Sequence, residues 1–500
     1  MTPSLMHFRP ARNWMNDPNG LVFHDGRYHL YFQYNPEGAT HGFMSWGHAS
    51  STDLVRWEEH PVAIRYTDEH EIFSGSVVFD EHDTSGLGAA GNPPLVAVFT
   101  LADQVARHQA QGIASSLDGG FSWHLYEGNP VLDRGSADFR DPKVFRYAGP
   151  AGEYWVMVAV EALERRVVLY RSDDLKTWTY LSDYGPRGAT GGVWECPDLF
   201  PLAVDGNASE VRWVLLISLN PGGIAGGSGT QYVIGFFDGV HFVAEEPIPP
   251  VARGAGWENS RAQLEACDWL DHGRDFYAGV TFSGLPDEER ILIAWMSNWD
   301  YAGRLPVDAG SPQRGAMALA RRLSLARADG RVRLRQEAIG PETETIVARA
   351  DVRADEPTEL TGELPDRCRI DLCVRLDGAD GFDLSLGATA IVGYSAADGL
   401  LWLDRRLAAQ TMPDGFSSIE QVRIGAHARI ELVLWLDRDA IEVFASGGTR
   451  TVTDLLPERD GAGASIAGRG GSVLIERFEV GAVRDLVSTG SAADMKGQTA

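Results

Sequence analysis

The sequence predicts an all-β protein: an N-terminal five-bladed β-propeller followed by a C-terminal β-sandwich. Three observations point there. A Ser–Asp–turn–aromatic pattern recurs through the first half of the chain, and short runs rich in Val, Ile, Tyr, Phe and Trp fill the intervals. Beyond residue 326 the aromatic content falls and strands alternate between apolar and polar residues. Helical periodicity is almost absent throughout.

The recurring pattern reads "SSTDLVRW" ending at Trp57, "SSLDGGFSW" ending at Trp123 and "RSDDLKTW" ending at Trp178, with a degenerate fourth copy, "FFDGVHF", ending at Phe242. Its period of roughly 55 to 65 residues is a little longer than the ~40–50 of common propeller blades. Between the markers lie "YHLYFQY", "LVAVFT", "YWVMVAV", "RWVLLISL", "QYVIGFF" and "ILIAWMSNW". Four marked units and a last one over Phe276–Leu325 make five blades, each a small antiparallel sheet. A plain sandwich would also be rich in short strands, but the period is too long and regular for it. The propeller is therefore expected over 1–325 and a linker over 326–342. A sandwich built from runs such as "RIDLCVRL", "RIELVLWLD" and "AIEVFAS" is expected over 343–486, and a disordered tail over 487–500.

Five hundred residues are enough for two or three domains with large cores. A net charge of −26, without a clustered Lys/Arg stripe, argues against nucleic acid or an anionic membrane as partner and is compatible with a neutral substrate. No apolar run approaches the ~20 residues of a membrane span. The opening "MTPSLMHFRPARNW" has no apolar signal-peptide region, so the expectation is a cytoplasmic protein, or a secreted one if a leader is missing. The four cysteines do not form a disulfide framework. Cys196 and Cys267 are far apart in sequence, and the odd separation of Cys368 and Cys373 on one strand points them to opposite faces. No Cys or His spacing matches a metal-ligand pattern, and His41 and His48 read as loop residues.

The chemistry is carried by acids. In "NWMNDPNGLVF", Asn16 and Asp17 are wedged between Trp14-Met15 and an apolar run, where both are costly to bury. Taken alone the stretch could be a turn, since Asp-Pro and Asn-Gly are turn dipeptides. Two further acids, Asp141 in "DFRDPKVF" and Glu195 in "VWECPDLF", are likewise followed by Pro and an apolar strand. Asp141 and Glu195 are about one blade period apart. Asp17 and Asp141 are about two apart, with "IFSGSVVF" in the intermediate slot. The innermost strands of a propeller line one channel. Asp17, Arg140, Asp141 and Glu195, at equivalent strand starts, should therefore converge at its mouth. Like-charge repulsion and partial desolvation should raise one of the three carboxyls, while Arg140 keeps its neighbour ionised. One ionised nucleophile and one protonated acid is the pairing that glycoside hydrolysis needs.

Taken together, "WMNDPNG", "FQYNP", "SWGHASSTDLVRWEEHPVAI", "IFSGSVVFD", "DFRDPKVF", "GGVWECPDLFPL", "DFYAGVTF", "ILIAWMSNWDYAG" and, in the C-terminal part, "DRDAIEVFASGG" resemble glycoside hydrolase family 32, the β-fructofuranosidases, over nearly the whole chain. "GGSGTQYVIGFFDG" is most similar to the bacterial levanase and exo-inulinase branch. The resemblance implies a retaining double displacement on a terminal fructosyl unit of levan, inulin-type chains or sucrose. Asp17 would be the nucleophile, Glu195 the general acid and then base, and Asp141, held by Arg140, the transition-state stabiliser. It also implies carboxyl groups only ~5–5.5 Å apart. Asn16, Gln33, Trp46, Phe73, Ser74 and Trp299 match positions that line the fructose subsite, and no metal or organic cofactor is implied. Two departures bear on substrate preference: His41 stands where many relatives carry Trp, and Gln313-Arg314 where relatives often show Trp-Arg. Alternatives are transfructosylation through the same covalent intermediate, a non-catalytic fructan-binding propeller, and the related five-bladed class acting on arabinans or xylans. The sandwich is expected to be a structural brace, and the sequence leaves the oligomeric state open.

Overall fold

The Asp-turn-Trp repeat is a hairpin device. In the computed structural model, which describes residues 6–484 apart from 90, 151, 252–256, 287, 308–309, 311, 408–411 and 460, each copy joins the third and fourth strands of a blade. Asp53, Asp118, Asp174 and Asp238 each accept two backbone N–H groups of their own turn. In the first three copies the Trp indole closes the turn by donating to a carbonyl, at 3.2 Å from Trp57, 3.1 Å from Trp123 and 3.1 Å from Trp178. A side chain that mimics a backbone turn is what makes Asp recur there.

Each blade is a four-stranded antiparallel meander. Its inner strand is Asn13–His24 in blade 1, Glu71–Phe79 in blade 2, Phe139–Gly149 in blade 3, Val193–Val204 in blade 4 and Tyr277–Thr281 in blade 5. These five strands contact one another in cyclic order and close a ring. Apolar side chains fill the wedges between blades, such as Val22, Tyr31, Trp46, Val77 and Phe99 between blades 1 and 2. Gly20 sits in that wedge with φ +54°, where a Cβ would meet Tyr31, Trp46 and Val77 at 2.7–2.9 Å. Below the ring's mouth, the buried Lys143 of blade 3 pairs with Asp198 of blade 4 at 3.2 Å. Asp198 in turn accepts the amide and hydroxyl of Thr281 in blade 5.

The boundary between the two domains differs from expectation. The stretch 326–342 is no linker: it holds the end of Ala320–Ala328 and all of Arg331–Ile339, which pair in register as the outer hairpin of blade 5. Its alternate positions Leu334 and Gln336 are buried, and its abundant Arg residues face outward or pair with acids, which gives it the charge of a linker. The sandwich follows from Thr343. It consists of a seven-stranded and a six-stranded sheet around a core that includes Ile370, Leu372, Leu384, Val392, Leu434 and Ile475. Cys368 lies in that core and Cys373 points to Glu476 on the opposite face, as the odd spacing predicts. All four cysteines are free. The tail expected at 487–500 lies outside the described residues.

Propeller and sandwich are joined by buried polar contacts. Arg321, fully buried, donates to Asp271 of the propeller at 2.9 Å and to Glu442 of the sandwich at 2.6 Å. His7, from the N-terminal segment, sits between Asp437 at 3.0 Å and Glu442 at 3.1 Å.

Candidate active site

All five inner strands carry the same irregularity. Two residues of the inner strand oppose one residue of its neighbour at Asn16-Asp17, Phe73-Ser74, Asp141-Pro142, Cys196-Pro197 and Ala278-Gly279. Such a one-residue bulge bends the strand and re-aims its side chains. Here it turns them into the mouth of the channel. Asp141, Cys196 and Ala278, the first residues of their bulges, have φ of +61°, +45° and +54°. The "NDPNG" stretch is thus a bulged strand, unbroken from Asn13 to His24, and the turn reading fails.

The bulge also corrects the expected equivalence of the three acids. Glu195 precedes its bulge, Asp141 is the first bulge residue and Asp17 the second. They converge from three successive positions of the same device. The Cys196 amide donates to Asp141 Oδ2 at 2.9 Å, and the Cys196 thiol lies 3.5 Å from Asp17 Oδ2 and 3.7 Å from Asp141 Oδ2. Ser74 donates to Asp17 Oδ2 at 3.0 Å, and the Asp141 amide donates to Thr100 Oγ1 at 2.9 Å. Arg140 reaches Glu195 Oε1 at 3.1 Å, and Tyr277 donates its hydroxyl to Glu195 Oε2.

Burial pushes Asp17 up to about 6, assisted by the charge of Glu195, while the donors Ser74 and Cys196 pull the other way. Burial likewise raises Asp141 well above the usual carboxylate range, against Arg140 and with Glu195. Arg140 favours the charged form of Asp141, as the sequence predicts, but more weakly than its place next in the chain suggests. Its guanidinium is 4.0 Å from Asp141 and closer to Glu195, so the cost of burial wins at Asp141. Burial opposes the charge of Arg140 too, but Glu195, Asp141 and Asp138 outweigh it and keep it firmly protonated.

An apolar collar surrounds the acids: Trp14, Cys196, Tyr277 and Trp295, with Phe73 and Trp299 packed against them. Trp299 stacks on Trp14 at 5.8 Å, and His41 meets both rings edge-on. Asn16 accepts from the Trp14 indole at 2.8 Å. Gln33 donates to Asn19 at 2.7 Å and to the Ile72 carbonyl at 3.0 Å, cross-linking blades 1 and 2. Trp46 is different from expectation: it has no exposed surface and supports the wall from behind, donating to the Phe73 carbonyl at 3.0 Å. His48 is a buried strand residue stacked on Tyr31, and only His41 lies in a loop. Sequence reasoning missed Tyr277, Trp295 and the thiol of Cys196, while Trp14 packs around the acids as expected. Tyr277 stands just before the bulge of blade 5, as Glu195 stands in blade 4, a placement set by strand pairing that no local feature of the sequence marks. Among the described residues, no group of three or more His, Cys, Asp or Glu side chains is arranged to hold a metal ion.

A ring of β-blades with carboxylates and aromatic faces at its mouth is the frame of a carbohydrate-cleaving enzyme. The model for the glycosyl hydrolases family 32 N-terminal domain matches residues 7–338, and that for the glycosyl hydrolases family 32 C terminal matches 341–481. The chain belongs to glycosyl hydrolase family 32. It is 38% identical to a levanase of Bacillus subtilis (strain 168), over 95% of this chain and 69% of that one. The crystal structure of an exo-inulinase from Aspergillus awamori matches with a TM-score of 0.85 at 34% identity, covering 97% of this chain and 98% of that one. A β-fructofuranosidase from Schwanniomyces occidentalis complexed with fructosyl-erythritol matches with a TM-score of 0.83 at 28% identity, covering 96% and 97%.

Proposed function

We propose that the protein is a retaining exo-β-fructosidase, which hydrolyses terminal β-D-fructofuranosyl residues of fructans or sucrose by double displacement. In this reading Asp17 attacks the anomeric C2 and forms a covalent fructosyl-enzyme. Glu195 protonates the departing oxygen, then takes a proton from the water that releases fructose. Asp141 accepts hydrogen bonds from fructose hydroxyls and stabilises the developing positive charge. The fructosyl ring packs on the collar of Phe73 and Trp299.

One observation carries the reading: Cys196, the chain neighbour of Glu195, touches both Asp17 and Asp141, which gathers three acids spread over 178 positions of sequence. The Arg140 and Tyr277 hydrogen bonds to Glu195 fix its orientation for proton transfer. The fructosidase activity named for the relatives supports the substrate class.

The test is fructose release from sucrose, inulin and levan, compared as initial rates. Asp17→Ala and Glu195→Ala should abolish release while both variants still fold, as cooperative melting shows. Full activity in either folded variant would remove the assignment. Formation of longer oligomers at high sucrose would show that the intermediate is captured by sugar rather than water.

A further inference from the structure

One side chain of the sandwich grips the two propeller segments that carry Tyr277 and Trp299. Arg405, fully buried just past the sandwich strand Leu400–Asp404, spreads its guanidinium over two separate propeller segments. One nitrogen donates to Asp275 Oδ2 at 2.6 Å and to the Leu455 carbonyl at 2.8 Å, and another donates to the Tyr301 hydroxyl at 2.9 Å. Its Nε donates to Ser418 at 3.1 Å. The Tyr301 hydroxyl donates to Asp275 Oδ1 at 2.7 Å and so closes the triangle. Both propeller partners are buried, Asp275 with no exposed surface and Tyr301 at 1%.

Each gripped segment ends in a pocket residue two positions away. Asp275 leads through Phe276 to Tyr277, the donor to Glu195. Tyr301 follows Trp299, the aromatic face stacked on Trp14. The two segments are also cross-linked, since Asn298 donates to the Arg274 carbonyl at 2.7 Å. The sandwich strand Arg450–Leu455 runs beside the first segment: His272 donates to the Thr451 carbonyl at 2.9 Å, Asp275 to the Thr453 carbonyl at 3.1 Å, and Leu455 back to Asp275 Oδ2 at 2.9 Å.

We propose that Arg405 is a positioning residue for the active site, setting from the sandwich both the Tyr277 hydroxyl on Glu195 and the Trp299 face against the fructosyl ring. A planar guanidinium suits the task because it presents donors in fixed directions to two acceptors at once, which an ammonium cannot. The proposal rests on the fructosidase reading above and assigns the sandwich a part in the reaction beyond bracing the propeller.

The test compares steady-state kinetics on sucrose or inulin for the full chain carrying Arg405→Lys or Tyr301→Phe, each alone and with Trp299→Ala, with melting recorded for all. Tyr301→Phe keeps the ring and removes only the shared hydroxyl. It should raise KM by about fivefold and leave kcat within about twofold. Arg405→Lys loosens both segments and should raise KM and lower kcat, each by about tenfold. In the Trp299→Ala background the KM effect of either variant should shrink to under about twofold, the non-additivity of residues acting through one another. Wild-type KM and kcat in both folded single variants, or KM effects that simply multiply with Trp299→Ala, would overturn the proposal. If Arg405→Lys does not fold, Tyr301→Phe decides alone. A wild-type chain inactive on every β-fructoside would instead overturn the fructosidase reading.

Discussion

Arg140 and Glu195 form an ion pair at 3.1 Å, while the carboxylate adjacent to that arginine in the chain, Asp141, stands 4.0 Å away. The bulge at Asp141-Pro142 explains the inversion. It swings Asp141 away from its own arginine and toward the Cys196 amide of the next blade. Arg140→Lys, a point charge without the planar fork, should therefore lower kcat by about 10- to 100-fold with little change in melting. Steady-state kinetics beside a thermal melt check this.

Activity should fall on the acid side as Asp17 takes up a proton, with an inflection in kcat/KM near pH 6. The Ser74 hydroxyl favours the charged form of Asp17. Ser74→Ala should move that inflection upward by about 0.5–1 pH unit. A kcat/KM profile of the two proteins shows the shift, and an unmoved acid limb would rule out Asp17 as its source.

The raised value at Asp17 also has a cost in stability. Its folded-state value lies above the unfolded one, so the folded chain binds more protons between about pH 4 and 6, and stability falls as pH rises through that window. Asp17→Asn removes the buried charge. It should be more stable than wild type by ~1–3 kcal/mol at pH 7.5, with the difference vanishing near pH 4. Urea unfolding at the two pH values measures it.

Lys143 and Asp198 join blades 3 and 4 beneath the pocket, both buried. Lys143→Met strands the carboxylate of Asp198 and should destabilise the fold by about 3–5 kcal/mol. Adding Asp198→Asn removes the stranded charge and should recover more than half of the loss. Urea midpoints of the single and double variants separate the two effects.

Much of this was legible in the sequence because it is written as repetition. The Asp-turn-Trp hairpins mark blades directly, since the Asp caps the turn and the indole closes it. The three acids stand out because each interrupts an apolar strand that would otherwise bury it. What stayed hidden depends on partners distant in sequence. The strand Arg331–Ile339 looked like a linker because its charges are neutralised by Asp268, more than sixty residues earlier. The Trp46 side chain looked like a pocket face because nothing local shows that Phe73 and Gly20 cover it. The one-residue offsets between Asp17, Asp141 and Glu195 are invisible without their neighbouring strands, since a bulge is a relation between two strands rather than a property of one.

The fivefold slip makes the rim modular. Every blade brings its bulge to the channel, and in blade 5 the first bulge position is held by Ala278, which carries no chemistry of its own. A carboxylate, imidazole or amide placed at Ala278 would face the same space as Asp141 and Cys196, on backbone already bent to receive it. Because Ala278 is fully buried against Trp14, Cys196 and Trp295, such a group would gain its place only by shifting part of that collar.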